Sequence, residues 1–150
     1  MKMIVDDLWH VYDELVAPAF SRAIVIPTNG TVRNDGSCVM GAGLALDAKK
    51  RWPTLPKQLG ELLKLGGNNP YGFPQMRLIT FPVKHNWWEK ADLALIRQSA
   101  MRLAMSASAS RYEIIYMPKV GCGNGRLQWK DVRNVLEEFL TSRFIIVTSK

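Results

Sequence analysis

Met117-Pro118-Lys119-Val120-Gly121-Cys122-Gly123-Asn124-Gly125-Arg126-Leu127 is the stretch on which the fold turns. A short apolar run, Ile114-Ile115-Tyr116, precedes it, and helical spacing begins after it near Gln128. Gly121, Gly123 and Gly125 therefore fall at a strand-to-helix junction. Glycine there admits positive φ and lets a ligand approach the backbone. Such a turn leaves N–H groups unpaired and pointing outward, which makes an anion site. A plain flexible connection has the same composition. A second loop, Met40-Gly41-Ala42-Gly43-Leu44, follows the apolar run Ala23 to Ile26 and also opens a helix. Two such loops at strand ends point to a ligand with more than one phosphate.

Working outward, Met3 to Leu8 reads as a first strand and Tyr12 to Phe20 as irregular or a short helix, broken at Pro18. Ala23 to Ile26 is a buried strand bounded by Pro27. Thr28 to Val39 is a loop, with turn signals at Asn29-Gly30 and Asn34-Asp35-Gly36. Gly41 to Trp52 carries helical spacing (Leu44, Ala45, Ala48, Trp52) and stops at Pro53. A further helix starts after Pro56 and stops at Gly66-Gly67. Asn68 to Gln75 is a turn-rich connection, and Arg77 to Val83 a strand. Lys90 to Ser110 is the longest helical stretch, with one apolar face from Leu93 to Ala107. Tyr112 to Met117 is a strand, Trp129 to Leu140 the last helix, and Phe144 to Val147 a closing strand. Alternating strands and helices predict a three-layer α/β/α fold around a mixed, largely parallel sheet. Ligands of such folds sit beyond the C-terminal strand ends. Both glycine loops, Asn29 and the segment Phe81 to Trp88 fall there.

With 150 residues and 47% apolar content, a single globular domain spanning 1–150 is expected. No apolar run approaches the roughly 20 residues a membrane span needs. The start Met1-Lys2-Met3-Ile4-Val5-Asp6-Asp7 is acidic where a secretory signal would be apolar, so a cytoplasmic location is expected. Cys38 and Cys122 have no metal-ligand spacing, and His10 and His85 lie far apart, so neither a disulfide nor a metal site is expected. The formal charge of +7 favours polyanionic partners, from nucleotides to nucleic acid. Neither glycine loop ends in the Gly-Lys-Ser/Thr of a P-loop or forms a dinucleotide fingerprint.

Four side chains at predicted strand ends carry candidate chemistry. Asn29 can donate to and accept from a ribose hydroxyl, or serve only its turn. Asp7 can accept from an exocyclic amine of a base, or cap a strand end. Lys84 follows an apolar strand among aromatics; partial desolvation there would make it a base or nucleophile, whereas a solvated lysine would do neither. His85 is a weaker acid/base candidate. Trp87 and Trp88 can cover a pocket or stack on a base, or simply pack.

These residues together resemble the macrodomain family, which binds ADP-ribose. Val39-Met40-Gly41-Ala42-Gly43-Leu44-Ala45 resembles its first ligand loop, and Val120-Gly121-Cys122-Gly123-Asn124-Gly125-Arg126-Leu127-Gln128-Trp129 its second. Asp7-Leu8 resembles the acidic-plus-aliphatic pair that holds adenine, and Thr28-Asn29 the segment near the distal ribose. Met117 to Gly123 and Arg126 to Trp129 are most similar to the branch holding terminal ADP-ribose protein glycohydrolase and the antitoxins that strip ADP-ribose from DNA bases. Phe81-Pro82-Val83-Lys84-His85-Asn86-Trp87 resembles the segment with the catalytic lysine of the DNA-acting members. The resemblance implies an ADP-ribosyl glycohydrolase with Lys84 catalytic, needing no cofactor, acting on ADP-ribosylated DNA or protein as a monomer away from membranes. It also allows an ADP-ribose 1″-phosphate phosphatase or a non-catalytic ADP-ribose reader. Gly125 stands where the protein glycohydrolase has a catalytic aspartate, which points toward the DNA-acting kind. Arg33-Asn34-Asp35-Gly36 forms an extra turn in a lengthened loop near the distal ribose.

Overall fold

The computed structural model describes residues 1–149. Six strands, β1 (Lys2–Val5), β2 (Arg22–Asn29), β3 (Tyr71–Phe73), β4 (Leu78–Lys84), β5 (Ile114–Met117) and β6 (Phe144–Thr148), form one sheet in the order β1-β6-β5-β2-β4-β3. All neighbours are parallel except β3 and β4. The helices are α1 (Leu8–Val11), continued by a π-helical turn at Tyr12–Val16, then α2 (Gly43–Arg51), α3 (Leu55–Gly66), α4 (Leu93–Met105), α5 (Ala107–Ser110) and α6 (Trp129–Glu137).

Residue alternation along β2 sorts the core into two layers. Ala23 and Val25 face the layer closed by Ile96, Leu103, Val132 and Leu136. Ile24 and Ile26 face the layer closed by Trp9, Tyr12, Leu55 and Leu59. Both faces of the sheet are thus covered, as the strand–helix alternation predicts.

Four local expectations need correction. β1 stops at Val5, and Leu8 opens α1 instead of ending the strand, because Val11 N–H bonds Asp7 C=O at 3.0 Å. β2 runs through Pro27 to Asn29. Its β5 pairing ends at Ile24, so at Pro27 one side has no ladder for the missing N–H to interrupt. The connection from Asn68 to Gln75 contains β3, whose Gly72 leaves the room that Ser108 occupies; a Cβ there would lie 2.8 Å from it. The long helix breaks at Ser106, whose hydroxyl accepts from Ala109 N–H at 3.1 Å and so restarts the chain as α5.

Among the described residues, no helix is long and apolar enough to cross a membrane. No group of three or more His, Cys, Asp or Glu is gathered among them. Cys38 and Cys122 are free thiols; burial pushes the Cys38 thiol up to about 12, so it is inert as a nucleophile.

Candidate active site

The central strands β2 and β4 end side by side. Asn29 is the register partner of Lys84, after an irregularity between Thr28 and Asn29. Above these ends opens a cleft of about 710 Å³. Its walls are the start of α2 (Gly41 to Ala45), the loop after β5 (Pro118, Lys119, Gly121, Gly123 to Gly125), and the segments after β2 and β4. The two glycine loops, 80 residues apart in sequence, therefore share one cavity.

Some backbone donors of the two loops are spent within the chain and others are free. In the second loop, Val120 N–H bonds Pro118 C=O, Cys122 bonds Lys119, and Arg126 bonds Gly123. These three hold the loop's shape, and their N–H groups are withdrawn from any ligand. Among the described residues, the N–H groups of Gly121, Gly123, Asn124 and Gly125 have no such partner. Gly121 sits at φ 77°, a conformation that glycine adopts without strain. No atom lies within 4 Å of the place a Cβ on Gly123 or Gly41 would take, so the backbone there is open to the cleft. Gly125 is the opposite case: a Cβ would meet Gly121 O at 2.5 Å and Ala91 Cβ at 2.7 Å. An aspartate cannot occupy that position in this loop conformation.

The first loop supplies a helix terminus. Ala42 is the N-cap of α2, in extended conformation and with no side-chain cap. The first helical hydrogen bond is Leu46 N–H to Ala42 C=O at 3.2 Å. The N–H groups of Gly43, Leu44 and Ala45 are left to the cleft, where the helix dipole adds partial positive charge. A Cβ on Gly43 would lie 3.1 Å from Asn124 Nδ2, so the two loops nearly touch.

Asn29 is partly committed to its own loop. Its Nδ2 donates to Val39 C=O at 3.0 Å, and its Oδ1 accepts from Thr31 N–H at 3.0 Å. The turn role is thus real, and one amide hydrogen and one lone pair remain for a ligand. Lys84 is half-buried at the cleft, and its Nζ makes one long contact, 3.5 Å to Trp87 C=O. Its own carbonyl accepts from Asn68 Nδ2 at 3.0 Å, which fixes the strand end. His85 turns away to a hydrogen bond with Asp92 (2.8 Å), the cap of α4; this bond holds the Asp92 carboxyl below the usual carboxylate range.

Several expected site residues do not line the cleft. Asp7 is exposed at the end of β1, separated from β2 by the two strands β6 and β5, and Leu8 is buried against the core. Thr28 lines the cleft. Met40 and Val120 are buried and outside the lining, as are half-buried Cys122 and exposed Arg126. Sequence reasoning missed Thr31, Arg33 and Lys119, all of which do line it. Arg33 arrives because Val32 and Cys38 bridge the extra turn, and Cys38 N–H docks on Pro56 C=O of α3 at 2.8 Å. The turn signal at Asn34-Asp35-Gly36 was visible; its direction was not.

No protein-family model matches the chain. It is similar to the DNA ADP-ribosyl glycohydrolase of Mycobacterium tuberculosis, 29% identical over 116 residues, covering 71% of this chain and 32% of that protein. The ADP-ribose glycohydrolase OARD1 of Bos taurus is 26% identical over 111 residues, with 74% and 73% covered. The chain spans about a third of the length of the DNA ADP-ribosyl glycohydrolases it matches. Among solved structures, the macrodomain of Mycobacterium tuberculosis DarG superposes with a TM-score of 0.69 at 26% identity, covering 87% of this chain and 90% of that one. The macrodomain of Thermus aquaticus DarG gives 0.75 at 21% identity, covering 99% and 97%. In strand order, in the two glycine loops that share one cleft, and in these superpositions, the chain has the fold of the macrodomains it resembles.

Proposed function

We propose that this chain binds ADP-ribose in the cleft and hydrolyses the bond joining its distal ribose to a modified target, with ADP-ribosylated DNA as the favoured substrate. One observation carries this reading: unpaired N–H groups of two loops face a single cavity whose floor is the Asn29–Lys84 pair. Neutral donors at a helix start suit a diphosphate, since they stabilise its charge without tight ion pairing. Gly43 to Ala45, Gly121 and Gly123 to Gly125 would hold the diphosphate, and Asn29 the distal ribose. Asp7 and the Leu8 backbone, outside the cleft lining, would meet the adenine where it leaves the cleft.

Lys84 acts at the anomeric carbon. The C1″–N bond breaks, its electron pair leaves with the base nitrogen, and water supplies the oxygen that ends on C1″. Lys84 serves either as the amine that forms a transient C1″–Nζ bond or as the donor that protonates the leaving nitrogen. In this reading the 150 residues work as one domain, as a monomer and in the cytoplasm.

The test is single-turnover hydrolysis of an ADP-ribosylated oligonucleotide by Lys84→Ala, with ADP-ribose binding followed by calorimetry. Activity is expected to fall roughly a hundredfold or more while binding persists. Borohydride trapping separates the amine from the proton-donor role. Full hydrolysis by Lys84→Ala would remove the lysine from the mechanism. The crowding around Gly125 favours a second reading, a non-catalytic reader, because no acid can stand in the second loop there. Tight ADP-ribose binding with no turnover of any conjugate would select it. Phosphate release from ADP-ribose 1″-phosphate alone would select a phosphatase.

A further inference from the structure

Two tryptophans stand exposed at the cleft mouth, and the binding of ADP-ribose leaves them unexplained. Trp87 is 54% exposed and lines the cleft; Trp88 is 62% exposed and lies beyond the lining. Their rings meet edge to face, with centroids 5.9 Å apart and planes at 89°. The backbone beneath them is anchored. Trp87 N–H donates to Thr31 Oγ1 at 3.1 Å, Glu89 N–H to Asn86 C=O at 3.1 Å, and Asp92 N–H to Val83 C=O at 2.9 Å. Among the described residues, no arginine or lysine stacks on either ring, whereas Arg51 covers Trp9 and Lys119 covers Trp129. Water-exposed indole faces held on a fixed backbone are surface that a flat ligand can cover.

The charges beside them narrow the ligand. Arg33, Lys84 and Lys119 line the cleft, and no carboxylate among the described residues does. The nearby Asp92 is taken by His85, and Glu89 has one carboxylate oxygen enclosed without a partner. Neutral N–H groups already suffice for a diphosphate and Lys84 has its role at the anomeric carbon, so Arg33 and Lys119 are surplus to ADP-ribose and suit additional phosphates. A net charge of +7 attracts the same polyanion from a distance. Phosphates in series, with flat bases free to stack, describe single-stranded nucleic acid; a duplex hides its base faces, and an acidic peptide offers none.

We propose that Trp88, with Trp87 beside it, is a stacking platform for unmodified bases of single-stranded nucleic acid that lie next to the nucleotide presented to the cleft. This names the target side of the proposed hydrolase and rests on that reading. Its test does not use catalysis. A fluorescently labelled, unmodified oligodeoxythymidylate of roughly ten nucleotides is titrated with wild type, Trp88→Ala and Trp88→Phe, and ADP-ribose is titrated separately by calorimetry. Wild type is expected to bind the single strand more tightly than a duplex of equal length, with affinity falling as salt rises. Trp88→Ala is expected to weaken binding roughly tenfold, and Trp88→Phe to keep most of it. Equal affinity of Trp88→Ala and wild type, or no binding by wild type, would overturn the platform. Failure of the ADP-ribose titration alone would overturn the hydrolase reading and leave the oligonucleotide result standing.

Discussion

The two ends of α2 are finished in opposite ways. At its C-terminus, Trp9, Tyr12 and Trp52 pack with ring centroids 5.5 to 6.0 Å apart, and the Arg51 guanidinium lies 4.4 Å from the Trp9 ring centroid. Arg51 makes a forked bond to Asp13 at 2.9 and 3.1 Å, and Trp9 Nε1 donates to Asp47 at 3.0 Å. Trp52 N–H closes the helix on Ala48 C=O. The polar groups of Trp9, Tyr12 and Arg51 thus find partners within the chain. At its N-terminus, α2 has no cap, its first N–H groups face a cleft, and the nearby tryptophans Trp87 and Trp88 stand bare. The same residue types thus serve the fold at one end and stay available at the other. The difference lies in partners, since an aromatic with every neighbour supplied stabilises, and one without them can bind.

Removing a ring from the closed end tests this most strongly. Trp9→Ala is expected to cost roughly 3–5 kcal/mol in denaturant unfolding, the usual cost of emptying a large buried site. Trp88→Ala should stay within about 0.5 kcal/mol of wild type, as for exposed positions. Equal costs would erase the distinction.

Gly125→Asp probes the crowded part of the second loop. Its Cβ would lie 2.5 Å from Gly121 O, so a loss of about 1–3 kcal/mol is expected, with no gain in hydrolysis. A stable variant with raised activity would show that the loop can open to admit an acid.

Closing the open end should exchange binding for stability. Ala42 already has the extended φ −151°, ψ 158° of a cap. Ala42→Asp is therefore expected to stabilise the protein by about 1 kcal/mol while weakening ADP-ribose binding in calorimetry. Tighter binding would mean that the free N–H groups of α2 do not meet the diphosphate.

The smallest effect concerns pH. The forked bond from Arg51 holds the Asp13 carboxyl below its ordinary value. A lowered folded pKa means that this contribution is complete above the unfolded carboxylate value, and is lost as pH falls through the folded one. Asp13→Asn should flatten that acid limb of the stability curve slightly, since the pair is solvent-screened. An unchanged acid limb would show that Arg51 is held by the rings alone.

Much of this architecture is legible in the chain itself. Apolar runs with helical stretches between them prescribe a covered, largely parallel sheet, because a strand buried on both faces has no polar side to show. Glycine clusters at run ends mark both loops, since only a small residue leaves the backbone that open. Local chemistry also explains the misreadings: Pro27 looks like a stop until the missing neighbour of β2 is seen, and Ser106 looks like helix until its hydroxyl is found capping the next turn.

The composition and spacing by themselves determined the fold class, the place of the two glycine loops at strand ends and the candidacy of Lys84. Only the tertiary structure decided that Asn29 and Lys84 are cross-strand partners, and which loop N–H groups remain free. It also brought Arg33 and Lys119 to the rim and left Trp88 bare. The physical reason is that periodicity and turn chemistry act within a few residues, whereas register, donor pairing and exposure depend on what folds against each residue from far along the chain.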